Sequence, residues 1–254
     1  MVGVRTLRAS AVRTGFAVLG VIGSVATASP AFAATGAPNP QQVVAYLDQA
    51  TLAHSSVSAV DQFGNVLPTT VRASTARLLV SGKVMYATTL AVGVLDAGAT
   101  RAAAVQPSLA TPDGACGVDG SISVEACATM YFNVKNDSAE YFLDAEYYHV
   151  TWTRLDSNAR LLNGKVSPGA IGRTCPGGFI STGDNFNQAS PTSGTAYSFT
   201  PHWHGTYVSQ NSSLSAGQKV NTALTWAHGT QQMTLNVNER PGDDEGWQKV
   251  GGCV

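Results

Sequence analysis

Apolar residues recur with period two through the C-terminal half of this chain. Met130, Phe132 and Val134 alternate with Tyr131, Asn133 and Lys135. Tyr197, Phe199, Trp203 and Tyr207 share one parity, and Ser198, Thr200, His202 and His204 the other. Val220, Leu224 and Trp226 point one way, and Met233, Leu235 and Val237 alternate with Gln232, Thr234 and Asn236. Successive side chains of a strand face opposite sides, so each run predicts a strand with one buried face. Glu146–Leu155 is dense in Tyr, Val, Thr and Trp, which suit a pleated surface. Asp156-Ser157-Asn158 then offers a turn and Arg160–Val166 a return strand. Strand-length segments separated by Gly, Asn, Ser and Asp predict a mainly β fold, an antiparallel β-sandwich or jelly-roll-like domain.

Upstream the pattern is weaker. Pro40–Ala53 reads as the one short helix, with Asn39 as its cap, Pro40 in its first turn, and Val43, Val44, Leu47 and Ala50 on a common face. Gly64-Asn65 lies between apolar residues within Asp61–Val66, a hairpin signal. Val84–Leu95 reads as a strand and Ala97–Pro107 as a linker.

Composition divides the chain near residue 112. Residues 34–111 are rich in Ala, Val, Thr and Ser, with seven charges and no cysteine. Residues 112–254 carry every cysteine and every tryptophan. The first region is therefore expected to be a smaller N-terminal part suited to interaction through strand pairing, and the second a disulfide-stapled domain.

Residues 1–33 have the three parts of a secretory signal. Arg5, Arg8 and Arg13 form a basic head, Gly15–Gly23 an apolar middle, and Ala31-Phe32-Ala33 a small-residue end. Cleavage is expected after Ala33. The apolar run is too short for a membrane span, so the product is expected to be released outside the cell. The mature chain then has twelve basic and sixteen acidic residues, a net charge of −4. That balance argues against nucleic-acid partners, which call for a basic face, and against anionic lipid. In an oxidising compartment Cys116, Cys127, Cys175 and Cys253 read as two disulfides, because their spacing lacks the close pairs of a zinc site. The expected pairing is Cys116–Cys127, closing a short Gly-rich loop, and Cys175–Cys253, tethering the chain end.

The chemistry-bearing candidates are few. His202 and His204, on one face of a strand, would stand about 7 Å apart and could supply two metal ligands, with His149, His228 or a carboxylate as a third. Glu146-Tyr147-Tyr148-His149-Val150 resembles the nucleophile strand of the jelly-roll xylanases, over those residues alone. The resemblance implies a carboxylate pair, Glu146 with Glu239, of the kind glycoside hydrolysis uses. Gly242-Asp243-Asp244-Glu245-Gly246 clusters oxygen ligands of a type calcium accepts, without EF-hand spacing. Asn136 and Asn211 begin glycosylation acceptor triplets. No G-x-S-x-G, H-E-x-x-H or phosphate-binding glycine loop occurs. The leading expectation is thus a secreted, non-catalytic binding or adaptor protein without cofactor or metal, whose partner is an extracellular protein or a surface glycan. The alternative is a carbohydrate-active hydrolase built on Glu146 and Glu239.

Overall fold

The computed structural model describes residues 40–95, 116, 122–137, 140–210 and 217–239. In chain order these form α1 (Pro40–His54), β1 (Ser56–Asp61), β2 (Thr69–Val80), β3 (Lys83–Leu95), β4 (Ile122–Asp137), β5 (Glu140–Arg154) and β6 (Ala159–Cys175). There follow β7 (Phe179–Gly183), β8 (Phe186–Ala189), β9 (Ala196–Phe199), β10 (Tyr207–Gln210), β11 (Gly217–His228) and β12 (Gln231–Glu239). All pair antiparallel in one curled sheet of order β1-β12-β11-β6-β10-β5-β4-β3-β2, with β7 and β8 on β6 and β9 on β5. The mainly β, antiparallel architecture expected from the alternation is what the chain adopts. Residues 1–33, expected to be a secretory signal, residues 97–107, expected to be a linker, and Asn39, Asn211, the Gly242–Gly246 cluster and Cys253 lie outside the described residues.

The curl gives the sheet an inside. Leu90, Val92 and Val94 of β3, Val124, Ala126, Ala128, Met130 and Phe132 of β4, and Val220, Leu224 and Trp226 of β11 all point into one core. On β5 the inward set is Leu143 and Ala145, then Tyr148, Val150 and Trp152. Parity changes between them because the β4–β5 register shifts at Tyr131/Phe132, leaving Glu146 as the extra residue of a β-bulge. The bulge keeps both halves of β5 facing the core. It also turns Asp144, Glu146, Tyr147 and His149 away from it.

Trp152 and Trp226 are fully buried, and the space around Trp152 is reserved by a glycine. A Cβ added at Gly164 on β6 would lie 2.6 Å from the Trp152 ring. Gly164→Ala is therefore expected to destabilise the protein by about 1–3 kcal/mol through overpacking, measured by urea denaturation. A change within a few tenths of a kcal/mol would show that the ring can move aside.

Residues 34–111 and 112–254 do not divide the sheet. β3 pairs with β4 along ten register positions, from Tyr86↔Phe132 to Leu95↔Ile122, and β1 pairs with β12. The apolar residues that make β3 strand-forming are used up inside the common core. Among the described residues β2, at the sheet's end, has β3 on one side only, and α1 packs against it. Leu47 is fully buried, and the Asp48 carboxylate accepts hydrogen bonds from the backbone N–H and hydroxyl of Thr75. Burial outweighs those bonds and lifts the Asp48 pKa to about 6. Cys116 and Cys127 are disulfide-bonded to each other. Cys175 is also disulfide-bonded.

Candidate functional site

The outward face of β4 and β5 gathers the polar and aromatic residues that the bulge ejects from the core. Asn133 lies opposite Asp144 in the ladder, and Tyr131 opposite Tyr147. Glu146, displaced between them, accepts a short hydrogen bond from the Asn133 side-chain amide. Tyr131 and Tyr147 stack with centroids 4.3 Å apart, and His149 lies 4.9 Å from the Tyr131 ring. On the other side of the carboxylates stands Tyr207 of β10, with the Lys135 ammonium 4.2 Å from its ring centroid. Two carboxyl groups are thus flanked by an aromatic group on each side.

Asp144 is only 2% exposed, whereas Glu146, Tyr147, His149 and Tyr207 are half-buried. Desolvation, and then the neighbouring Glu146 charge, push the Asp144 pKa up to about 6. Bonds from the Gly205 N–H and Asn133, and the charge of His204, oppose that rise. Burial, then the Glu146 charge, raises the Tyr147 phenol. Tyr207 is raised by burial first and by both carboxylates after it. Burial lowers His149, so its imidazole is neutral at physiological pH and contributes a ring rather than a charge.

The structure changes the histidine picture. His202, Trp203 and His204 do not lie on a strand but in a turn between β9 and β10. Pro201 opens that turn and Gly205, at φ 83°, closes it in a conformation that favours glycine. The turn hangs between two carboxylates: Asp184 accepts the His202 N–H at 2.9 Å and Asp144 the Gly205 N–H at 2.8 Å. Trp203 between them is buried and donates its indole N–H to Gln218 at 3.0 Å. The imidazoles serve different partners. His202 binds Asp184 at 2.7 Å, and His204 acts on Asp144. His228 pairs with Asp156 at 2.8 Å, and His149 belongs to the aromatic group. Among the described residues no group of three or more side chains that could hold a metal includes a histidine.

Glu146 and Glu239 are not brought onto neighbouring strands. Glu239 ends β12, opposite Val220, and β11, β6 and β10 stand between β12 and β5 in the sheet. The carboxyl that Glu146 meets is Asp144. The alternation places Asn133 and Tyr207 only as strand positions and gives Asp144 no role, since a strict period of two carries no bulge. The signal that was present is the break in parity between Ala145 and Tyr148.

One further acidic residue is buried. Glu125, on the outward face of β4, is 2% exposed, and desolvation lifts its pKa to about 7 against the opposing charge of Arg72. Its carboxyl and the Cys116 and Cys127 sulfurs lie within 4.8 Å of one another. With the sulfurs joined to each other, no thiolate is there to hold a metal. Among the described residues no helix is long and apolar enough to cross a membrane.

The sequence matches no protein-family model and no curated protein. Among solved structures, the enzymatically active domain of tailspike protein 4 from bacteriophage CBA120 aligns with a TM-score of 0.20 and 9% identity over 78% of this chain. The chain spans 20% of the length of that structure. A likeness at that score assigns neither fold nor function.

Proposed function

We propose that this is a secreted binding protein that recognises an extracellular glycan on the outward face of β4 and β5. The observation that carries the reading is the juxtaposition of the partly exposed Tyr147 and His149 rings with the Asp144–Glu146–Asn133 cluster. Aromatic faces accept the C–H faces of a sugar ring, and carboxylate and amide groups bind its hydroxyls. A neutral imidazole and a protonatable Asp144 keep the face from being strongly charged, which suits a neutral polysaccharide. Binding is favoured over glycoside hydrolysis at this face for a geometric reason. Hydrolysis needs carboxyl groups on either side of the scissile bond, whereas Asp144 and Glu146 project side by side from one strand.

Retention of the purified protein on insoluble xylan, cellulose, chitin and peptidoglycan tests the proposal. One of these should retain it and release no sugar. Tyr147→Ala and Glu146→Gln should each weaken that retention roughly tenfold or more while leaving the melting temperature nearly unchanged. Retention on none of the four, or retention that both variants preserve, would refute this site. Soluble sugar released by the wild type and not by Glu146→Gln would establish the hydrolase instead.

A further inference from the structure

A second constellation lies on the other side of the 201–205 turn and plays no part in the proposed glycan face. The Asp184 carboxylate accepts two bonds from one residue, the His202 backbone N–H at 2.9 Å and the His202 ring Nδ1 at 2.7 Å. An ionised carboxylate only accepts. The His202 bonds, acting against burial, hold Asp184 below the ordinary carboxylate range, so Asp184 is ionised and Nδ1 carries a proton. In the neutral ring Nε2 is then an unprotonated acceptor. Thr182 Oγ1 lies 2.9 Å from it, and its O–H is the donor of that bond. Hydroxyl, imidazole and carboxylate are joined in the order nucleophile, base and orienting acid.

The arrangement is fixed by the fold. Thr182 lies on β7, in register with Ala170 of β6, and the Asp184 N–H donates to the Pro168 carbonyl at 3.1 Å. The Trp203 ring meets the imidazole edge to face at 5.0 Å, and Trp203 itself is buried. The His202 side chain is 58% exposed, so a substrate can approach the hydroxyl.

We infer that Thr182, His202 and Asp184 form an acyl-transfer site that hydrolyses carboxylic esters of small acyl groups. Thr182 Oγ1 bonds to the ester carbonyl carbon as its proton passes to His202 Nε2. The bond from that carbon to the alcohol oxygen breaks, and the leaving alcohol takes the proton from Nε2. Solvent water then attacks the Thr182 ester, giving a proton to Nε2. The carboxylic acid departs, and Nε2 returns the proton to Thr182. Asp184 acts by positioning: it holds the tautomer in which Nε2 is the base and stabilises the imidazolium formed in each step.

The probe is p-nitrophenyl acetate with the full chain. The wild type should hydrolyse it roughly 100-fold faster than Thr182→Ala or an equal concentration of free imidazole, and a rapid mix should leave one acetyl group on Thr182 by mass spectrometry. Thr182→Ser should keep the activity. Asp184→Asn should lose kcat with KM unchanged, since an amide at that position favours the other tautomer. All variants should melt within a few degrees of the wild type, which separates chemistry from folding. A wild-type rate no greater than that of imidazole, or a rate that Thr182→Ala leaves intact, would overturn the inference. Neither outcome bears on retention by the β4–β5 face.

Discussion

Acidification from about pH 8 to about pH 5 should stabilise this protein. Glu125, with its pKa near 7, and Asp144 and Asp48, near 6, all titrate well above ordinary carboxyl groups because folding buries them. Between the ordinary value near 4 and the raised one, the folded chain holds a proton that the unfolded chain has released. Stability therefore falls as pH rises through that window and is regained as pH drops. For Glu125 and Asp144 the difference amounts to about 3 kcal/mol each, to order of magnitude. Below about pH 4 the direction reverses. Asp61, held low chiefly by the Asn65 amide, and Asp184, held low by His202 against burial, must then take up protons and lose those bonds. The free energy of unfolding by urea should peak near pH 4 to 5. Glu125→Gln should flatten the upper part of the curve. A stability that is level or rising between pH 5 and pH 8 would contradict the burial of these carboxyls.

Trp226→Ala should cost about 3–5 kcal/mol, enough to unfold a marginal domain. The side chain is fully buried, opposite Met233 and next to the Thr225/Trp226 bulge, two residues from the end of β11, the middle strand of β6–β11–β12. Its indole N–H has no hydrogen-bond partner among the described residues. Trp226→Phe, which keeps most of the ring and removes that donor, should therefore lose less than half as much. Equilibrium denaturation of the two variants separates volume from polarity. Equal losses would mean that the N–H is satisfied in the folded protein.

Much of the fold was legible because alternation reports burial directly. The period-two runs at Met130–Val134 and Val220–Trp226 and the strand at Val84–Leu95 all lie in strands, and the helix reads from Pro40 to within a residue of its end. β2 escaped notice: Arg72 and Arg77 interrupt its apolar residues, and an edge strand buries too little to impose a clean pattern. The run from Tyr197 to Tyr207 looked continuous because its parity holds across Pro201 and Gly205, although those residues break it into β9 and β10. The Cys116–Cys127 bond was readable from loop length. The site was hardly readable at all. Asp144 and Glu146 meet through a bulge, and Asp184 meets His202 across 18 positions of sequence. Both meetings depend on register, which local composition does not encode.

The helix at the sheet's end has a consequence for how copies of this protein meet at high concentration. An uncovered strand of twelve residues is a template on which a neighbouring chain could continue the sheet, and then another, into a fibre. α1 packs against β2, so an incoming strand would have to register beside a folded helix. At the other end β1 is only six residues long, too short to hold a newcomer well. Among the described residues, α1 thus shields the β2 end of the sheet, which opposes its extension by a second copy as well as contributing to the core.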